Sequence, residues 1–181
     1  MTGLPCLFLD RDGVVIEDTE YPHRPEDLRI LENVIPLIKW AKSQGWWVLV
    51  ASNQSGVARG KFTMQELQGF TDLLDAQLRA RGAAVDHYYY CPFFKDGVLA
   101  EYSRESDLRK PKPGMFLQAM KDYSIDIEKS YMVGDRMTDV IELPGLRTLL
   151  LRGKYDLAVS YPWVFGDHGE VLEYLKGPHG S

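Results

Sequence analysis

Apolar residues in this chain come in short unbroken runs that end in carboxylates, hydroxyls or glycine, separated by stretches where they recur at helical spacing. The first run, Leu7-Phe8-Leu9, stops at Asp10-Arg11-Asp12-Gly13, which predicts a buried strand delivering two acids into a turn. Residues 33–43 carry Val34, Leu37, Ile38 and Ala41 and stop at Gly45, the pattern of an amphipathic helix closed by glycine. The nearly continuous apolar stretch 46–51 suits a strand covered on both faces. Thr63-Met64-Gln65-Glu66 has the form of a capping box; it opens a helix whose stripe is Leu67, Phe70, Leu74 and Leu78, with Gly82 as the stop. A strand is predicted over 85–91, a helix starting at Lys112-Pro113-Gly114-Met115 with proline near its first turn, and strands over 130–133 and 147–151. Strands alternating with helices predict an α/β fold, a doubly wound parallel sheet.

The polar residues at the strand ends carry the chemistry. In open α/β sheets the ligand crevice lies outside the carboxyl ends of the strands, so Asp10 and Asp12 would face a site, one as nucleophile or metal ligand and the other moving a proton. The run ending at Ala51 gives way to Ser52-Asn53-Gln54-Ser55-Gly56. Arg109-Lys110-Pro111-Lys112-Pro113-Gly114 follows, and Tyr131-Met132-Val133 ends in Gly134-Asp135-Arg136-Met137-Thr138-Asp139. Taken singly, each fragment reads as a polar turn or a helix cap. As an ordered set they place acid, hydroxyl and acid at three strand ends, with a lysine between the last two. The gaps between them leave room for a flap and single helices, not for a cap domain of roughly 50 residues or more.

At 181 residues, a single domain over 1–176 with a flexible tail at 177–181 is expected. The net charge of −5 argues against nucleic acid as a partner. No apolar run reaches eighteen residues, so no membrane span is expected, and the N-terminus lacks signal-peptide character. Two cysteines, Cys6 and Cys91, are too few for a disulfide framework and point to a cytoplasmic protein.

The ordered strings from about Leu4 to Lys154 resemble the haloacid dehalogenase-like phosphatases, in particular the branch containing D,D-heptose 1,7-bisphosphate and histidinol-phosphate phosphatases. The resemblance implies a Rossmann-like core without a cap domain and a Mg²⁺-dependent phosphomonoesterase. In that scheme Asp10 attacks phosphorus, Asp12 protonates the leaving oxygen and then activates water, and Lys110 neutralises the phosphate. Mg²⁺ is held by Asp10, Asp135 and the main-chain carbonyl of Asp12, with Asp139 orienting metal-bound water or Lys110. Ser52 and neighbouring N–H groups bind phosphate oxygens. Substrate choice falls to loop residues: Asn53, Gln54, Arg59 and Arg109 at the mouth, Tyr21 and His23 on the flap. Arg109 is the candidate for a second anionic group; Arg11 and Arg136 are expected in surface or structural ion pairs. The partner is a small phosphorylated metabolite and the chain is expected to be a monomer.

Many relatives in this branch carry a zinc loop, Cys-Pro-His followed by Cys-x-Cys-Arg-Lys-Pro. Here the same frame reads Cys91-Pro92-Phe93 and Ser106-Asp107-Leu108-Arg109-Lys110-Pro111. One cysteine does not make a four-ligand site, so no zinc is expected, and Phe93, Phe94 and Leu108 are expected to close the loop by apolar burial. A helix beginning near Asp135 is expected to be cut short by Pro144. Heptose 1,7-bisphosphate leads as substrate, histidinol phosphate follows and a nucleic-acid 3′-phosphate is a distant third. A phosphoryl-accepting signalling module is the reading from another class, opposed by Asp12, whose proton donation favours turnover. A non-catalytic binding protein is opposed by the joint presence of Asp10, Asp12, Ser52, Lys110 and Asp135.

Overall fold

The computed structural model describes residues 3–177, so the expected tail lies, from residue 178 on, outside the described residues. Along the chain run β1 (Cys6–Leu9), α1 (Val34–Ser43), β2 (Trp47–Asn53), α2 (Met64–Ala80), β3 (His87–Cys91), α3 (Gly114–Asp122), β4 (Tyr131–Gly134), β5 (Arg147–Leu151), β6 (Val164–Phe165) and α4 (His168–Lys176). The strands form one parallel sheet in the order β3-β2-β1-β4-β5-β6. The chain builds outward from β1 to β3, then returns to the other side of β1 with β4. That reversal makes the β1/β4 pair the topological switch point, where ligands bind in such sheets.

Side chains alternate across a strand, and both faces here are covered. Leu7 and Leu9 of β1 pack with Leu37, Ile38, Phe70 and Leu74 of α1 and α2 and with Val171 and Leu175 of α4. Cys6 and Phe8 face the other way, onto Met115, Phe116 and Ala119 of α3. This two-sided burial is why β1 reads as an unbroken apolar run. The predicted capping box is present: Thr63 Oγ1 accepts from Glu66 N at 3.1 Å and Glu66 Oε2 accepts from Thr63 N at 2.7 Å.

The segment after β4 departs from expectation. No α-helix forms between β4 and β5; Met137–Asp139 makes a single 3₁₀ turn, and the chain leaves it through Pro144 and Gly145, whose φ is +94°. β6 and α4 were not predicted. β6 is two residues long, too short for a pattern. α4 does carry signals: Asp167 caps it by accepting from Glu170 N at 3.0 Å, and Val171 and Leu175 are one turn apart.

Candidate active site

Asp10 follows β1 directly, is buried, and has its N–H fixed by the Val133 carbonyl of β4 at 2.9 Å. Lys110 reaches it from the loop ahead of α3. Its backbone is clamped by Asn53 at the end of β2: Lys110 N donates to Asn53 Oδ1 at 3.0 Å, and Asn53 Nδ2 donates to the Lys110 carbonyl at 3.2 Å. Lys110 Nζ then lies 2.9 Å from Asp10 Oδ1 and 2.5 Å from Asp139 Oδ1, with only 3% of the residue exposed. Burial opposes its charge, but Asp10 and Asp139 outweigh that cost and hold the ammonium above its ordinary pKa. Asp139 Oδ2 accepts from the N–H groups of Asp135 and Arg136 at 3.0 and 3.3 Å. Both Asp139 oxygens are therefore engaged, and its observed partner is Lys110.

Asp135 closes the group. Burial first, then the charge of Asp10, push its carboxyl up to about 7 against the opposing pull of Arg136. Asp10, Asp135 and Asp139 each present one oxygen within 4.8 Å of the others. With Asp139 committed to Lys110 and backbone donors, Asp10 and Asp135 are the carboxylates whose mutual repulsion a cation would relieve. Hard oxygen donors with room for waters suit Mg²⁺. Two glycines make this packing possible: a Cβ at Gly13, whose φ is +84°, would overlap the Asp135 carboxylate, and one at Gly134 would overlap Asp139.

Asp12 points to the other side. Arg11, with no exposed surface, donates from Nε to Asp12 Oδ1 at 2.7 Å and from Nη2 to Oδ2 at 3.2 Å. Of the alternatives open for Arg11, the structure selects a buried structural pair, not a surface one. Burial raises the Asp12 pKa despite Arg11, with the charges of Asp10 and Asp18 adding to the rise. Gln54 Nε2 donates to Ser52 Oγ at 3.0 Å and lies 3.4 Å from Asp12 Oδ2. Thus Asn53 and Gln54, expected at the mouth as substrate contacts, line the pocket but are engaged with Lys110, Ser52 and Asp12.

A pocket of about 590 Å³ opens over these groups. Its lining includes Asp10, Asp12, Ser52, Asn53, Gln54, Lys110 and Asp139, with Arg59 and Arg109 on one side and Tyr21 on the flap. His23 does not line it: the ring stacks on Phe62 with centroids 5.1 Å apart, and Nδ1 is 2.7 Å from the Tyr21 carbonyl. It braces a flap in which Glu20 and Tyr21 both hold positive φ, +61° and +59°.

Known proteins resembling this chain agree with the geometry. Residues 107–158 match the family model described as HAD-hydrolase-like. A D-glycero-β-D-manno-heptose-1,7-bisphosphate 7-phosphatase of Yersinia pestis is 41% identical, covering 96% of each chain. The protein of the same name from Escherichia coli K12 is 38% identical over 96% of this chain and 95% of its own. The crystal structure of a D,D-heptose 1,7-bisphosphate phosphatase from B. bronchiseptica, complexed with magnesium and phosphate, superposes with a TM-score of 0.78 at 28% identity, covering 96% and 98% of the two chains. The chain belongs to the haloacid dehalogenase-like phosphatases.

Within that family frame, the loop lacking zinc ligands closes in part by the expected apolar burial, with Phe93 and Leu108 packed against the buried cluster of Cys91, Met115 and Phe116. Phe93, Phe94 and Leu108 are each only half-buried. Phe94 is instead flanked by two guanidiniums, Arg59 at 4.0 Å and Arg109 at 4.9 Å from its centroid, and Arg104 sits 3.9 Å over Phe93. Cation–π contacts of about 0.5–2 kcal/mol each add to what these partly buried rings gain from burial. Cys91 is a buried strand-end thiol, 3.8 Å from the Phe93 carbonyl, and burial pushes its pKa up.

Sequence reasoning missed part of the lining. Asp18, Arg136, Thr138, Lys154 and Tyr155 also line the pocket. Asp18 Oδ2 receives Arg136 Nη2 at 3.3 Å and Tyr155 Oη at 2.5 Å, with Lys154 Nζ at 3.8 Å. Arg136, expected only as an ion-pair residue, does pair with Asp18 and Asp135, and it also borders the pocket. Nothing in the string Arg152-Gly153-Lys154-Tyr155 marks it as a site; only the fold brings the loop after β5 beside β1 and β4.

Proposed function

We propose that this phosphatase hydrolyses the 7-phosphate of D-glycero-β-D-manno-heptose 1,7-bisphosphate through an aspartyl-phosphate on Asp10. The observation that carries the chemistry is Asp10 held beside Lys110 at the switch point, with Asp135 and Asp12 on its two flanks. The relatives that share 38–41% identity over nearly the whole chain carry the substrate.

Asp10 attacks phosphorus with a carboxylate oxygen, and the sugar alkoxide leaves with the proton of Asp12. Burial, which raises the Asp12 pKa against the pull of Arg11, favours its holding that proton. Asp12, now a carboxylate, takes a proton from water as the water oxygen attacks the phosphorus; phosphate leaves and Asp10 is restored. Lys110 offsets the negative charge near Asp10, and the Ser52 hydroxyl and adjacent N–H groups bind phosphate oxygens. Asp10 and Asp135, with the Asp12 carbonyl, would hold Mg²⁺, which when bound supplies positive charge against the carboxylate–phosphate repulsion. Asp139 works through Lys110.

The second phosphate belongs with Arg59 and Arg109. Neither has a carboxylate within 4.0 Å among the described residues, and Arg59 Nε is buried without a hydrogen-bond partner. Two uncompensated guanidiniums on one pocket wall call for an anion. The rest of the reading is a monomer acting as one domain over 1–176, with no resident zinc. Buried free cysteines suit a cytoplasmic setting, and no helix of the described residues is long and apolar enough to cross a membrane.

The test is kcat/KM with Mg²⁺ for both anomers of heptose 1,7-bisphosphate and for histidinol phosphate, side by side. The expected preference for the β-anomer over histidinol phosphate is at least a hundredfold, about 2.7 kcal/mol of differential transition-state binding. A preference for histidinol phosphate would replace the substrate and keep the mechanism.

A further inference from the structure

The two walls of the pocket differ in charge balance. Arg59 and Arg109 have no carboxylate within 4.0 Å, whereas Arg136 and Lys154, elsewhere in the lining, are answered by Asp18 and Asp135. A wall whose charges cancel but whose donors and acceptors remain oriented suits hydroxyl groups better than a second phosphate. Its geometry depends on one side chain. The Tyr155 hydroxyl donates to Asp18 Oδ2 at 2.5 Å, while its ring lies under the Arg136 guanidinium, 3.8 Å from centroid to carbon. Arg136 in turn reaches Asp18 through Nη2 and Asp135 through Nε, each at 3.3 Å. The circuit Tyr155–Asp18–Arg136 thus ties together three loops: the flap after β1, the turn after β4 and the loop after β5.

We propose that Tyr155 is a positioning and specificity-determining residue, which fixes Asp18 and Arg136 as a hydroxyl-binding wall and so favours polyhydroxylated phosphate esters. This rests on the phosphatase reading of the site and extends it. Stacking keeps the guanidinium flat against the wall, and its remaining nitrogen, Nη1, is left for a ligand oxygen. The hydroxyl keeps Asp18 in the one orientation that also receives Arg136. Burial works against the Asp18 charge, yet the Tyr155 hydrogen bond and the nearby cations more than offset it and hold the carboxylate ionised.

Tyr155→Phe removes the hydroxyl and keeps the ring; Tyr155→Leu removes both. Each is assayed on the sugar phosphate that the native protein hydrolyses best and on p-nitrophenyl phosphate, which has no hydroxyls to bind. The expected result is a five- to tenfold loss of kcat/KM on the sugar ester for Tyr155→Phe and a larger one for Tyr155→Leu. Most of the loss should lie in KM, and the loss on p-nitrophenyl phosphate should be at least fivefold smaller. Asp18→Asn should be non-additive with Tyr155→Phe on the sugar ester. Equal losses on both substrates would mean a purely structural role and overturn the proposal, as would an unchanged KM for the sugar ester. Native turnover of other sugar phosphates but not of heptose bisphosphate would overturn the substrate assignment instead, and leaves this comparison intact.

Discussion

Lys110 sits between two buried carboxylates, and removing its charge should reveal how much the core of the site depends on it. Lys110→Met keeps most of the side-chain volume and takes away the ammonium, leaving Asp10 and Asp139 buried without their counter-ion. Breaking a buried pair by deleting one partner costs about 3–5 kcal/mol, because a charge remains in low dielectric unanswered. For a domain of this length that corresponds to roughly 6–20 °C in Tm. Part of the loss is recoverable. In Lys110→Met/Asp139→Asn one stranded charge is gone, and the amide oxygen of the asparagine still accepts from the N–H groups of Asp135 and Arg136. The double variant should therefore be at least about 1.5 kcal/mol more stable than the single one, a coupling of the size that contacting residues show. Urea denaturation in EDTA at pH 7.5 measures both. If the double variant is as unstable as Lys110→Met, or if Lys110→Met costs less than about 1 kcal/mol, the claim that these groups are ionised partners is wrong.

Other expectations can be checked with the same protein. Asp10→Asn should abolish turnover while keeping a cooperative melting transition; residual native-level phosphatase activity would remove Asp10 as nucleophile. Asp135, held near 7 when folded against an ordinary carboxyl value of 3.8, binds its proton more tightly in the folded than in the unfolded state. Stability in EDTA should therefore fall as pH rises from about 4 to 7 and level off above; Asp135→Asn should flatten that slope, and added Mg²⁺ should restore stability at pH 8 in the native protein only. Gly13→Ala forces a Cβ onto the Asp135 carboxylate from a backbone at φ +84°, so activity should fall more than a hundredfold, and native-like kinetics would contradict the packing. Metal analysis after dialysis should find less than 0.1 zinc per chain; about one zinc per chain would refute the loop reading.

The parts legible in the sequence were those where a local pattern and its global use coincide. β1 shows as an apolar run because both sheet faces are covered, and Thr63-x-x-Glu66 shows as a cap because its hydrogen bonds are local. Asp10, Lys110 and Asp135 each follow or precede an element legible in the sequence, and the topology needs only to bring strand ends together. Tyr155 and Asp18 are 137 positions apart and meet through a side-chain hydrogen bond, for which no periodicity exists. The hydrogen bonds of Asn53 to Lys110 and of Gln54 to Ser52 are not legible in sequence, since an amide at the mouth looks the same whether it faces a ligand or a lysine backbone.

On the proposed reading, the contrast between these two groups of pocket residues accounts for selectivity in a phosphatase without a cap domain. Without a second domain to close over the substrate, recognition has to come from groups fixed before binding, and each loop supplies them by a different physical device. Arg109, on the loop ahead of α3, and Arg59, between β2 and α2, both lie over the ring of Phe94, two like charges with no carboxylate within 4.0 Å. The burial of Arg109, with the repulsion from Arg59 beside it, lowers the Arg109 pKa from its ordinary value, a cost that an incoming anion would repay. The loop after β5 does the reverse, using Tyr155 to lock Arg136 onto Asp18 and leave a wall without net demand for charge. On the proposed assignment, a small ester with an anion at one end and hydroxyls along the other matches both groups, with its reacting phosphate at Asp10.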